Sequence, residues 1–212
     1  MIIPVLNKYD LLERMIASID YPIDELLIID NGGGAGEYQN NNIGKIRVLR
    51  MPSNLGVPAS WNLGIKLYPF APYWVISSND VVFEKGTLTI LDKALDPDKL
   101  TLTKAFPHYQ TFAIGENIIE KVGLFDEGLY PIFFEDNDFH QRVQHHGLTI
   151  EKIVLPHHHE QSASVRFDER LVERNKQTFQ DNAHYYHNKT LNEDYSEGGW
   201  KLSRRRKNDW GV

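Results

Sequence analysis

Two apolar runs on either side of an amphipathic stretch narrow what this chain can fold into. Ile2-Ile3-Pro4-Val5-Leu6 reads as a strand, with proline tolerated near a strand's start or edge. Asp10 is placed to cap a helix in which Leu11, Leu12, Met15, Ile16 and Ile19 recur at helical spacing. Glu25-Leu26-Leu27-Ile28-Ile29-Asp30 is a second buried strand, and it ends in a carboxylate. Strand, helix, strand in that order predicts a parallel sheet with a right-handed crossover. A third run, Tyr73 to Phe83, is apolar enough to be buried on both faces but turns polar at Ser77-Ser78-Asn79-Asp80. Ligands bind outside the carboxyl ends of strands in open α/β sheets, which suits a lone carboxylate at that point. Asn and Asp also favour plain turns, and the four residues alone leave both readings open.

The remaining pattern continues the alternation. Lys45 to Arg50 alternates polar and apolar, as a strand near a sheet edge does. Helices are expected from about Ala59 to Leu67, Lys85 to Leu95, Asn117 to Val122 and Asp136 to His146, with strands at Leu100–Phe106, Gln110–Ile114 and Thr149–Leu155. Beyond Asp168 the chain is helical in character, and from Glu193 it is polar and glycine-containing, like a tail. No internal repeat is visible. Asn31-Gly32-Gly33-Gly34-Ala35-Gly36 has neither the Lys-Ser/Thr ending of a phosphate loop nor the spacing of a dinucleotide fingerprint, so its glycines serve a tight backbone path or a loop.

Composition removes several classes. With 212 residues the chain makes one domain, or a domain with a C-terminal appendage, and without cysteine it has neither a disulfide framework nor a thiolate zinc site. No apolar run reaches membrane-spanning length and no basic-then-apolar leader opens the sequence, so a soluble, cytoplasmic protein is expected. A formal net charge of −6 argues against nucleic-acid binding by the whole surface. The basic run Arg204-Arg205-Arg206-Lys207 is a candidate contact for nucleic acid or a membrane surface, or simply a solvated tail.

Asp30, Asp80, Glu135-Asp136 and the run His157-His158-His159 each fall near the end of a predicted strand or the start of a helix. Carboxylates that converge on a crevice imply a cation, a polar ligand or a proton transfer. In this order the segments resemble the family 2 glycosyltransferases with the GT-A fold, especially rhamnosyltransferase-like members. Ile3-Pro4-Val5-Leu6-Asn7 through Ile29-Asp30-Asn31-Gly32 is similar to the family's nucleotide-binding half. Asn54-Leu55-Gly56-Val57 through Trp61-Asn62-Leu63-Gly64-Ile65 resembles its Asn-x-Gly…Trp-Asn-x-Gly-Ile segment. Ser78-Asn79-Asp80-Val81 stands at the Asp-x-Asp metal position, with Ser78 where another acid is frequent. Gly123-Leu124-Phe125-Asp126-Glu127 through Phe134-Glu135-Asp136-Asn137-Asp138 resembles the Gly-x-Phe-Asp-Glu…Phe-Glu-Asp-x-Asp segment. Tyr185-Tyr186 with Lys189 echoes the family's C-terminal helix.

The resemblance implies a Rossmann-like, mostly parallel central sheet flanked by helices over residues 1–165, and a helical extension with a basic tail over 166–212. It implies inverting transfer of a sugar from a UDP- or dTDP-sugar to an acceptor hydroxyl. Asp80 and His159, the latter placed ahead of Ser164, are then the metal ligands for Mn²⁺ or Mg²⁺. Asp136 is the preferred general base, with Glu135 beside it, and Asp138 is either a supporting partner or an ordinary helix acid. The donor pocket falls to Pro4, Val5, Asn7, Asp30, Asn31, Asn54, Trp61, Asn62, Ser78 and Asn79. The acceptor stays open among glycan, lipid-linked sugar, protein side chain and modified DNA base. The alternatives are a non-catalytic sugar-nucleotide or glycan-binding module on the same fold, and a nucleotidyltransferase, although Asn7-Lys8-Tyr9-Asp10 lacks the basic, glycine-rich loop the latter needs. A separate zinc site drawing on His145 and His146 is a further reading of the histidines.

Overall fold

The computed structural model describes residues 1–159 and 169–196. Ser164 and the basic run at 204–207 lie outside the described residues. The strands are β1 (Ile2–Val5), β2 (Ile23–Asp30), β3 (Ile43–Arg50), β4 (Tyr73–Ser77), β5 (Val81–Phe83), β6 (Lys99–Thr103), β7 (Thr111–Gly115), β8 (Thr149–Ile153) and β9 (His157–His159). The helices are α1 (Tyr9–Ala17), α2 (Val57–Leu67), α3 (Thr87–Asp92), α4 (Glu116–Val122), α5 (Glu135–His145) and α6 (Glu169–Leu191).

A 7-stranded sheet in the order β3-β2-β1-β4-β7-β6-β8 carries the fold. β1 pairs in parallel with β2 and β4, as the strand–helix–strand pattern predicts, and β3 is the edge strand beside β2. Only β7 runs against its neighbours, pairing antiparallel with both β4 and β6. That reversal has a consequence for the site. Ser77 at the end of β4 faces Thr111 at the start of β7, and their hydroxyls are 2.7 Å apart. The loop before β7 is thereby brought to the same end of the sheet as the loops after β1, β2 and β4.

Apolar side chains fill both faces of the sheet. On one side α2, α4 and α5 bury Ile65, Ile118 and Phe139 against Ile2, Trp74 and Phe112. Trp61 meets Phe112 and Phe125 edge-on, at centroid distances of 5.2 and 4.7 Å, so it is core as well as a site candidate. On the other side α1 and α3 bury Leu12, Ile16 and Leu88 against Ile3, Ile28 and Ala113. α2 approaches β1 so closely that a Cβ on Gly64 would lie 2.6 Å from Ile2. The mixed apolar face of α2 reflects this depth, since Ser60, Asn62 and Gly64 are buried along with Trp61 and Ile65.

The run from Tyr73 to Phe83 is not one strand. β4 stops at Ser77, and β5 leaves the main sheet to pair antiparallel with β9, opposing Val81 to His159. β9 is itself a short strand beyond β8, where the sequence pattern ends the last strand at Leu155. The helix expected from Lys85 to Leu95 is confined to Thr87–Asp92.

Candidate active site

A cleft of about 250 Å³ opens at the carboxyl end of β1, β2 and β4. Of the expected site residues, Pro4, Val5, Asn31, Asn54, Trp61, Ser78, Asn79, Asp80, Glu135, Asp136 and His159 line it. Asn7, Asp30 and Asn62 do not.

Asp30 is withdrawn from the cleft by its own hydrogen bonds. It is fully buried, and Oδ1 accepts from the Tyr9 hydroxyl at 2.8 Å and from the amides of Gly32 and Gly33 at 3.1 and 2.8 Å. Its Oδ2 accepts from the Ala35 amide at 2.9 Å. Burial by itself would raise the Asp30 pKa, yet the bonds from Ala35, Tyr9, Gly33 and Gly32 together hold it below the usual aspartate range. The glycine-rich loop is therefore folded around Asp30 and Tyr9. A Cβ on Gly34 would fall 2.4 Å from the Tyr9 ring, which is why side chains are excluded there.

Asn62 is likewise engaged elsewhere. Its amide donates to Phe125 O and Glu127 Oε1, both at 2.9 Å, and its oxygen accepts from the Phe125 amide. It joins α2 to the segment that precedes α5. Asn7 enters through its backbone: the Asn79 side chain donates to Asn7 O at 3.2 Å and to Lys8 O at 3.3 Å, fastening the loop after β4 to the turn after β1. Asn31 bridges two elements at the cleft wall, donating to Ser60 Oγ and accepting from the Leu55 amide, each at 2.9 Å.

Two groups of ionisable side chains face the cleft. At one, the β5–β9 pairing sets His159 Nε2 3.2 Å from Asp80 Oδ1. Both side chains are nearly buried, and His159 Nδ1 has no hydrogen-bond partner among the described residues. Adjacent ligands on an octahedral cation with oxygen bonds of ~2.1 Å stand ~3 Å apart, so this spacing fits two neighbouring positions on one ion. No group of three or more His, Cys, Asp or Glu side chains converges among the described residues, so the pair alone does not enclose a metal. That also removes the basis for a separate site built on His145 and His146, which lie at the far end of α5, with the His145 ring stacked on Tyr195.

At the other, Glu135 and Asp136 open α5. Burial, with the charge of Asp136 adding, pushes the Glu135 carboxyl up to about 8. Its Oε2 is buried without a hydrogen-bond partner among the described residues. Asp136 is raised as well, first by burial, and is opposed by the Asn137 amide that donates to its Oδ1 at 2.8 Å. The two acids resist holding two negative charges at once, so near neutral pH they share a proton. Asp136 is the less buried of the two, and Glu135 is the one whose fully buried carboxyl holds its proton up to about 8.

The sequence pattern missed several lining residues. Tyr109 and Gln110 arrive through the β7 reversal, and Leu171, Arg174 and Asn175 come from α6. Arg174 is the only Lys or Arg among the described residues that line the cleft. Nothing local marks these positions. The buried side of α6 is a polar stripe of Thr178, Asn182 and Lys189, so no apolar period announces which side faces inward.

Against this geometry, residues 1–118 match the sequence model described as glycosyl transferase family 2. The chain belongs to that family. Among solved structures, this family 2 chain resembles TarS of S. aureus, with a TM-score of 0.54 and 15% identity over 72% of the chain. It resembles GalNAc-T7, crystallised with UDP, GalNAc and Mn²⁺, with a TM-score of 0.54 and 12% identity, also over 72% of the chain. These likenesses establish the GT-A fold. The chain spans 34% of the TarS chain and 41% of the GalNAc-T7 chain. No curated protein sequence matches it. No described helix is long and apolar enough to cross a membrane.

Proposed function

We propose that this chain carries out inverting glycosyl transfer from a nucleotide-diphosphate sugar to an acceptor hydroxyl. The observation that carries the reading is a single cleft with Asp80–His159 at one station and the adjacent acids Glu135 and Asp136 at another, in a chain of glycosyl transferase family 2. The reaction needs two things that neither station supplies alone. A diphosphate must leave with its charge compensated, and a hydroxyl must lose a proton as it attacks.

Asp80 and His159 are the residues that would hold Mn²⁺ or Mg²⁺. Such a cation, when bound, neutralises charge on the diphosphate oxygens. With only two protein ligands to offer, the chain would rely on the donor's own phosphates to complete the ion's shell, so donor and metal should bind together. Ser78 and Asn79 shape the approach to that station, while Pro4, Val5, Asn31, Asn54 and Trp61 form the wall on which the nucleotide rests. Arg174 brings a positive charge to a cleft that also holds the acids Asp80, Glu135 and Asp136. The Asp136 carboxylate accepts the acceptor hydroxyl's proton as that oxygen bonds to the anomeric carbon. The bond from the same carbon to the phosphate oxygen breaks on the opposite face, and its electron pair leaves with the diphosphate. Glu135, held as the acid, keeps the negative charge of the pair on Asp136.

UDP-sugars are the first donors to test, because GalNAc-T7 was crystallised with UDP, and dTDP-sugars are the comparison. Residues 1–165 serve as the transferase domain in this reading, and α6, from the 166–212 extension, closes the cleft beside them. The test is release of nucleotide diphosphate from a panel of UDP- and dTDP-sugars with Mn²⁺, with Mg²⁺ and with chelator. Turnover of at least one donor that needs the cation, and loss of cation-dependent donor binding in Asp80→Ala, is the expected result. Donor binding with no turnover of any sugar would instead make the chain a non-catalytic binding module.

A further inference from the structure

The carboxylates of Glu135 and Asp136 point where they do because of the five residues before them, and that segment is not shaped by its own sequence. Phe133 and Phe134 both adopt left-handed backbone, with φ of 83° and 71°. For aromatic residues this costs ~1–3 kcal/mol each and persists only where the surroundings over-determine it. Phe134 is also the N-cap of α5 and makes no side-chain capping bond, so within α5 its first turn is held by backbone bonds such as the Asp138 amide to Phe134 O at 2.9 Å.

The constraint comes from α6. The buried Asn182 side chain stands with Nδ2 2.9 Å from Ile132 O and 3.3 Å from both Tyr130 O and Phe133 O. Three carbonyl oxygens gathered at one point repel each other unless a donor lies between them, and the amide is that donor. The Phe134 ring stacks on Tyr186 at 5.5 Å and lies against Phe179 at 5.0 Å, while Phe133 meets Phe179 edge-on. α6 is in turn fixed to the body of α5, since Lys189 Nζ lies 2.6 Å from Asp126 Oδ2 and 2.8 Å from Asp138 Oδ1. About three turns of α6 thus clamp both the body of α5 and the strained segment that leads into it. On its far side the same segment touches the donor wall, where the Val57 amide donates to Pro131 O at 2.7 Å and the Tyr130 hydroxyl to Asn54 O at 3.2 Å.

We propose that Asn182 is a positioning residue for the Glu135–Asp136 pair, acting through the carbonyls of Tyr130, Ile132 and Phe133; this rests on the reading of that pair as the proton-accepting station. It touches neither substrate nor reacting atoms. Its donor N–H₂ holds the strained segment in the one shape that buries Glu135 and leaves Asp136 facing the cleft.

The decisive variant is Asn182→Asp, which keeps the shape and replaces the donor with an oxygen. Carboxyl ¹³C titration by NMR, compared with the wild type, needs neither donor nor acceptor. In the variant the Glu135 carboxyl moves down by at least about one pH unit as the segment relaxes and water reaches it. Binding of UDP with Mn²⁺, measured by calorimetry, stays within about threefold of the wild type because the donor station is untouched. Hydrolysis of a donor that the wild type turns over falls about tenfold to a hundredfold in kcat. Should Asn182→Asp fail to fold, Tyr186→Leu removes the ring stacked on Phe134, keeps apolar volume, and reads the same shift. If Glu135 and Asp136 titrate as in the wild type in a folded variant, Asn182 is only packing and the proposal is overturned. A wild type that hydrolyses no donor, while the titration shift is present, overturns the transferase reading and leaves the positioning role standing.

Discussion

Asp138 and Glu135 are neighbours on α5, and their side chains are about equally buried, yet their surroundings are opposite. Asp138 receives Arg142 Nε and Lys189 Nζ, each at 2.8 Å. Arg142 goes on to donate to Val122 O and Leu124 O, and Lys189 reaches Asp126, which also accepts from the Tyr185 hydroxyl. Two carboxylates and two cations close a neutral network under the surface. Glu135 has an orphaned oxygen, a carboxylate neighbour and no cation partner among the described residues. The difference separates acids that hold the fold from acids available for chemistry. A buried charge with full partners is costly to disturb, whereas a buried acid with an unpartnered oxygen is retained at a cost in stability.

The largest effect expected from breaking this contrast is on the paired side. Lys189→Met should leave Asp126 and Asp138 short of a cation and lower stability by ~3–5 kcal/mol in denaturant unfolding. A loss under ~1 kcal/mol would mean that the network contributes no more than an exposed ion pair. On the unpaired side, Asp136→Asn should fold at least as well as the wild type, because it removes a charge facing Glu135. Its transfer rate should drop by ~10²–10⁴, the range for losing a general base. Near wild-type transfer by that variant would move the base elsewhere.

The smallest effect is a pH dependence with a definite sign. Glu135 binds its proton more tightly folded than unfolded, so what it adds to stability is fully present below its ordinary value of 4.5 and is lost as pH rises toward about 8. Wild-type unfolding free energy should therefore fall between about pH 5 and about pH 8.5 by on the order of 2–4 kcal/mol more than that of Glu135→Gln. Parallel pH profiles for the two proteins would show that Glu135 is not held as an acid. Asp30 makes the opposite case, since its lowered pKa means stability that is lost only as the solution becomes strongly acidic.

Which acids would fall on which side was only partly legible in the chain. Glu135-Asp136 and Asp80 stood out because they interrupt or follow apolar runs, and the structure sets both at the cleft. Asp30 stood out for the same reason, yet four hydrogen bonds from Tyr9 and its own loop occupy it. Residue type and position do not reveal whether lone pairs are already taken. The Trp61-Asn62 pair split in the same way: Trp61 borders the cleft, whereas Asn62 is turned to the backbone of Phe125. Asp138 was expected to support the site, and its partner Lys189 lies 51 positions away along the chain.

By itself the sequence determined the alternation of strands and helices, the parallel start of the sheet and the chain positions of the polar strand ends. Those features follow from apolar periodicity, which acts over a few residues; capping did not contribute as expected, since Lys8 and not Asp10 is the N-cap of α1 and it makes no side-chain capping bond. Tertiary structure decided the rest. It took β5 out of the run that begins at Tyr73 and paired it with β9, which brings Asp80 to His159. It reversed β7 so that Tyr109 and Gln110 reach the cleft, and it laid the polar stripe of α6 against the segment leading into Glu135. Each is a contact between groups distant in sequence whose partners satisfy buried polar atoms, and no local period encodes which distant group that partner will be.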